Sequence, residues 1–213
     1  MGRLDFFFDP GCPWTWITAR WVAEVAPQRD IQVTWRPFSL TLKNEGQELP
    51  PGLPDALRDR ILGLRPVTLA ALRVLEAVRD AHGDAPIGNL YLEYGRRIHH
   101  DESWQSPDFL ADSLTGAGLD PSLATASDDA TWDARLRAEL EAAVEVAGAD
   151  VGSPILVFDT EPRRGFHGPV LSPAPTGDDA LRLWDAVRVA VDVPGLFELK
   201  RSRTTGPQLP ARP

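Results

Sequence analysis

A single cysteine, Cys12, occurs in the 213 residues, so no internal disulfide can form and a secreted, disulfide-stapled fold is excluded. Lysine is almost absent, with Lys43 and Lys200 the only two, and acidic residues outnumber basic ones 31 to 22. The resulting net charge of −9 offers nothing general to a nucleic acid or an anionic membrane, and neither is expected as a partner. No apolar run approaches the ~20 residues of a membrane-spanning helix. Arg3 and Asp5 lie beside an apolar run only a few residues long before Pro10, unlike a secretory signal. Gly-rich phosphate loops and dinucleotide fingerprints are missing too. A cytoplasmic location is expected.

What the chain does have is an ordinary globular composition, 43% hydrophobic and 25% charged. Its length suits one sizeable core, or a compact domain carrying a second, smaller one. It is organised around Phe6-Phe7-Phe8-Asp9-Pro10-Gly11-Cys12-Pro13-Trp14-Thr15-Trp16-Ile17. An apolar strand-like run ends in a Pro-Gly turn, and Pro13 suits the first turn of a helix, where its missing N–H costs nothing. Trp14, Ile17, Trp21 and Val25 then recur at helical spacing. Cys12 is therefore expected at a strand-to-helix junction, where unpaired N–H groups and the helix dipole favour a thiolate.

Along the chain, Leu4 to Phe8 reads as a buried strand, Pro13 to Val25 as a helix, and Ile31, Val33 and Trp35 as a second strand ending at Pro37. Ser39 to Pro54 is loop-like. Helical patterns follow: a short one at Asp55 to Leu64, a longer one opened by Pro66 and ending near Gly83, and one marked by Leu90, Tyr91, Tyr94 and Ile98. Ser106-Pro107 is expected to start a helix ending near Gly116, and Ser127 to cap one with Trp132, Leu136, Leu140 and Val144 on one face. Strand character returns at Ile155 to Phe158, with Gly165 to His167 as its hairpin partner. Asp178 to Val191 closes the chain with an amphipathic helix. After Lys200 the chain is polar and Pro-rich, either disordered or an extended strap.

Strand–helix–strand, a helical block, then strand–strand–helix is an α/β, thioredoxin-like topology with a helical insertion. Residues 1–45 and 148–200 make up the expected thioredoxin-like domain, 46–147 the inserted helical subdomain, and 201–213 a tail. The chain resembles the DsbA-like branch of the thioredoxin superfamily and, within it, the actinobacterial mycothiol-dependent nitroreductase (oxidoreductase) family. The resemblance is carried by Asp9-Pro10-Gly11-Cys12-Pro13-Trp14-Thr15-Trp16-Ile17-Thr18 with Arg20-Trp21, by Ser39-Leu40 with Asn44-Glu45, and by Gly95-Arg96-Arg97-Ile98-His99. It continues through Asp150-Val151-Gly152-Ser153-Pro154, Phe166-His167-Gly168-Pro169-Val170-Leu171-Ser172, Leu183-Trp184-Asp185 and Phe197-Glu198-Leu199-Lys200-Arg201. Well-known members have Cys-Pro-Trp-Cys; here the second cysteine is Thr15.

Cys12 is the expected nucleophile. Thr15, one helical turn on, has a hydroxyl that cannot resolve a disulfide but can donate to a thiolate. The chemistry open to the site is monothiol: a low-molecular-weight thiol couples to Cys12 and a second releases it. The resemblance implies mycothiol as that thiol, and mixed disulfides or small electrophiles such as nitro compounds as substrates. It also implies a cofactor site around Pro13, Trp14, Asn44, His99, Ser153 and Pro154, with Pro154 cis beside the sulfur. Trp14 is expected as an aromatic wall, while Trp16, Trp21 and His167 read as structural. His99-His100-Asp101-Glu102 lacks the ligand spacing of zinc sites, so no metal is expected; His99 either lines the cleft or ends a helix. Two other functions stay open on the same fold. One is thiol activation in the manner of kappa-class glutathione transferases and 2-hydroxychromene-2-carboxylate isomerases, and the other is a non-catalytic binding protein. The protein is expected to be a monomer or homodimer.

Overall fold

The structure is a computed structural model that describes residues 2–213. The chain forms two compact units, one built from residues 2–8, Cys12–Arg36 and Glu141–Pro213, the other from Asp9–Gly11 and Pro37–Leu140.

The first unit holds a four-stranded sheet of β1 (Gly2–Phe8), β2 (Ile31–Pro37), β3 (Ile155–Phe158) and β4 (Arg164–His167), in the order β2-β1-β3-β4. That is thioredoxin strand order. β3 runs antiparallel to β1, with Phe6 opposite Leu156, and antiparallel to β4, with Val157 opposite Gly165. The hairpin needs that glycine, because a methyl there would lie 2.6 Å from the Leu156 carbonyl oxygen. The first long helix is α1 (Pro13–Val25), and the last is Gly177–Val191. Trp21 joins the two: its Nε1 donates to Ala180 O at 3.0 Å, and its ring packs 5.7 Å from Trp184, which in turn meets Phe158. Trp16 and Trp21 are fully buried, the core role their helical spacing implies.

The second unit is helical. It contains α2 (Leu40–Lys43), α3 (Asp55–His82), α4 (Ile87–His99), α5 (Phe109–Gly116) and most of the helix α6 (Asp133–Ala147), whose last turns belong to the sheet unit; the final helix is α7. Leu72, Leu75, Leu90, Tyr94, Ile98, Leu114 and Leu136 fill its core. Glu93 is buried between the guanidinium groups of Arg96 and Arg97, and Gly116 leaves room for its carboxylate.

Four local expectations are corrected here. Ser39 to Pro54 is not all loop, because Ser39 Oγ accepts from Leu42 N and caps α2. The two helices expected on either side of Arg65 are one, α3, with Pro66 inside it. The hydroxyls of Thr41 and Thr68 both donate to the Arg65 carbonyl next to that proline. Ser106 receives the Asp108 N–H and starts a turn, so α5 begins at Phe109. Asp129, not Ser127, accepts the N–H that opens the approach to α6; the Ser127 carbonyl instead receives Arg73, which grips Asp133 bidentately. Ser and Asp cap equally well by type, and only tertiary demand for a carbonyl separates them.

The tail is an extended strap. The Ser172 hydroxyl donates to Gly206 O at 2.8 Å and accepts from Gln208 N at 2.9 Å.

Candidate active site

β1 delivers the chain into the turn Asp9–Cys12, and Pro13 starts α1. Cys12 is the N-cap residue, extended at φ −83° and ψ 111°, and the residue is partly exposed. A thiol at a helix start faces unpaired N–H groups and the positive end of the dipole, which favour its anion. The sulfur lies 3.8 Å from Ser153 O, the carbonyl that precedes the cis Ser153–Pro154 bond. Ser153 and Pro154 thus stand beside the nucleophile candidate.

Thr15 is wholly buried, and its Oγ1 lies 2.7 Å from Ser153 Oγ. Ser153 Oγ also reaches Phe7 O at 3.4 Å. With Ser153 donating to that carbonyl, Thr15 donates to Ser153, and β1, α1 and the approach to β3 share one hydroxyl chain. Pro13 occupies the first helical position. Trp14 is partly exposed, and the Arg203 guanidinium lies 4.7 Å from its ring centroid.

His167, at the end of β4, supports the same loop. Its Nδ1 faces Gly152 O at 2.8 Å and Pro154 O at 3.1 Å. Both partners are acceptors, so Nδ1 carries the proton. Ser153 is bracketed. Thr18 ties α1 to the following loop through Pro169 O at 2.8 Å.

The other two predicted site residues belong to the helical unit. Asn44 ends α2, and its side-chain amide donates to Leu40 O at 2.8 Å. His99 is 6% exposed, and its Nε2 donates to Pro10 O at 2.9 Å. Burial pushes His99 down to about 3, with help from Arg60 and His100 and against the pull of the Pro10 carbonyl, so it is a neutral donor. Asp9 is buried as well, accepting from Gly11 N and Leu40 N, each at 2.8 Å. Burial raises its carboxyl to about 6, and those two N–H groups limit the rise. Among the described residues, no three His, Cys, Asp or Glu side chains converge as a metal-binding group.

Residues 11–201 match the model of the Rv2466c-like family, described as mycothiol-dependent nitroreductase Rv2466c. The chain belongs to that family. It is an oxidoreductase family, and the match spans both the Cys12 turn and the Ser153-Pro154 loop. The Mycobacterium tuberculosis protein Rv2286c is 30% identical over 209 residues, covering 96% of this chain and 84% of that protein. Among solved structures, the probable DsbA oxidoreductase SCO1869 of Streptomyces coelicolor superposes with a TM-score of 0.57 at 19% identity, over 99% of this chain and all of that one. The cytosolic disulfide reductase DsbM of Pseudomonas aeruginosa, solved with GSH, gives 0.56 at 18% identity, over 88% of this chain and 99% of that one. Those two likenesses establish the fold: thioredoxin-like, with the DsbA-type helical insertion.

Sequence reasoning missed three features: the buried Asp9 carboxyl of the helical unit, the two carbonyls beside Ser153 that His167, read as structural, holds, and the seat of Arg203 on Trp14. Asp9 had a local signal, since an aspartate two residues before a turn glycine commonly accepts that glycine's N–H. The others act across contacts that no short-range pattern encodes.

Proposed function

We propose that Cys12 is the nucleophile of a monothiol oxidoreductase cycle that runs on mycothiol in the cytoplasm. Its substrates are mixed disulfides or small electrophiles such as nitro compounds. The observation that carries this reading is the Cys12 sulfur at the start of α1, 3.8 Å from Ser153 O, with a hydroxyl residue at the second motif position.

The residues present suit a small thiol. Cys12 is partly exposed, Trp14 offers an aromatic edge, and the backbone at Ser153 stands beside the reacting atom. Mycothiol, when bound, supplies the external thiol that the chain itself lacks.

In the exchange, the Cys12 thiolate attacks one sulfur of a disulfide. A Cys12–sulfur bond replaces the old S–S bond, and the other half leaves as a thiolate with the electron pair. Thr15 has no sulfur with which to open the mixed disulfide. That bond is broken by an incoming thiolate, which forms a new external disulfide and restores the Cys12 thiolate. Thr15 acts as a positioning residue, holding Ser153 against Phe7 and the sulfur.

Intact mass spectrometry of the reduced protein with mycothiol disulfide, and separately with glutathione disulfide, tests the cycle. A single adduct on Cys12, formed faster with the mycothiol reagent and absent in Cys12→Ser, is expected. No adduct on the native protein, while the denatured protein reacts, overturns it. Thioether formation from added thiol and electrophile, undiminished in Cys12→Ser, puts transferase chemistry in its place.

A further inference from the structure

The strap brings an unpaired cation to the reactive end of α1. Arg203 stacks on Trp14, two residues past Cys12, and no carboxylate pairs with it among the described residues. Its neighbourhood in the tail is fixed by the Ser172 hydroxyl, which uses both its proton and a lone pair on Gly206 and Gln208. A guanidinium stacked on an indole keeps its in-plane N–H donors free at the rim, and those donors match carboxylate geometry. This placement stands out in a chain of net charge −9, whose general field repels anions.

We propose that Arg203, held on Trp14 by the C-terminal strap, is a specificity-determining residue that favours small substrates bearing a carboxylate near the atom Cys12 attacks. The proposal rests on the reading of Cys12 as the nucleophile. It assigns the tail a part in selection: the strap completes the rim of the site with a positive charge that the first turn of α1 does not carry.

Two thiol reagents of similar size and different charge test it. Iodoacetate is anionic and iodoacetamide is neutral, and both alkylate a thiolate by displacement of iodide. At low salt, the ratio of their Cys12 alkylation rates is expected to fall about fivefold in Arg203→Ala, the scale of one close charge pair at a wetted surface. Ser172→Ala, which leaves Arg203 in place and removes its anchor, is expected to lower the ratio in the same direction. An unchanged ratio in Arg203→Ala overturns the proposal, as does equal acceleration with both reagents, which would make the strap a cover only.

If neither reagent reacts with Cys12, the nucleophile reading fails, and a second measurement still decides the cation's role. Iodide and acrylamide quenching of the Trp14 fluorescence, isolated by subtraction of Trp14→Phe, reports anion and neutral access separately. Iodide quenching that drops in Arg203→Ala while acrylamide quenching holds supports an anion-favouring rim. Equal iodide quenching in both proteins overturns it.

Discussion

The Thr15 and Ser153 hydroxyls lie 2.7 Å apart in the core of the sheet unit, although 138 residues separate them in the chain. One comes from the first turn of α1, the other from the residue whose carbonyl faces the Cys12 sulfur.

Thr15→Val keeps the shape and removes the hydroxyl. Ser153 Oγ retains Phe7 O as a partner, so the loss is expected at about 1 kcal/mol, toward the lower end for a buried hydrogen bond. Urea unfolding measures it. Thr15→Cys restores a sulfur one turn from Cys12, where neighbouring helical side chains are about 5–6 Å apart at Cβ. On the proposed cycle, the mixed disulfide that accumulates in the natural protein becomes transient in this variant. Intact mass then shows loss of two hydrogens in place of an adduct.

Two buried groups of the helical unit are expected to set opposite pH slopes. His99 falls from 6.5 to about 3 on folding, so its contribution is complete above pH 6.5 and is lost as pH drops toward 3. Asp9 rises from 3.8 to about 6, so its contribution is complete below pH 3.8 and is lost as pH climbs through 6. Between pH 4 and 6 the two slopes are opposite and nearly equal and so cancel, and the larger displacement of His99 makes acid destabilising below about pH 4 and from about pH 6.5 to 6. His99→Gln, which keeps an N–H for Pro10, is expected to remove the acid loss and leave stability falling as pH rises from about 4 to 6, the slope of Asp9 alone. Asp9→Asn is expected to gain on the natural protein as pH rises from 4 to 7, by up to about 3 kcal/mol. Denaturant midpoints across that range check both signs.

His167 touches neither the sulfur nor a hydroxyl of the site, yet it holds the carbonyls on both sides of Ser153. His167→Phe is expected to slow mixed-disulfide formation at Cys12 severalfold, with little change in thermal midpoint because the side chain is exposed. His167→Asn places an amide N–H near the position of Nδ1 and is expected to restore much of the rate. A loss of stability matching the loss of rate would reduce His167 to a structural contact.

The sheet unit was the more legible part of the chain. Alternation in β2, the apolar runs of β1 and β3, and Pro13 ahead of a helical repeat mark elements whose local preference and tertiary role agree. The helical unit was less so. Proline reads as a break, but at Pro66 the first half of α3 is largely exposed, and water there tolerates a missing backbone bond. Cys12, Thr15 and the Ser153-Pro154 loop were readable from position and family pattern. The Thr15–Ser153 bond, the His167 bracket and the seat of Arg203 on Trp14 were not, since each is a pairing between distant segments.

Pro66 also divides α3 in time. It has no N–H for the Leu62 carbonyl, so one rung of the helical ladder is missing where the helix is exposed, with Leu62 itself 47% exposed. Before the proline, Leu64 is the one deeply buried apolar side chain; beyond it come Ala71, Leu72, Val74, Leu75 and Val78. In amide hydrogen exchange the helix is expected to behave as two pieces, with residues 58–65 exchanging through local opening and 70–82 only when the whole unit opens. Uniform protection along α3 would contradict this. The longest helix of the protein thus joins a loosely tethered arm to a fixed stem, and the arm can fray and re-form while the stem keeps its packing.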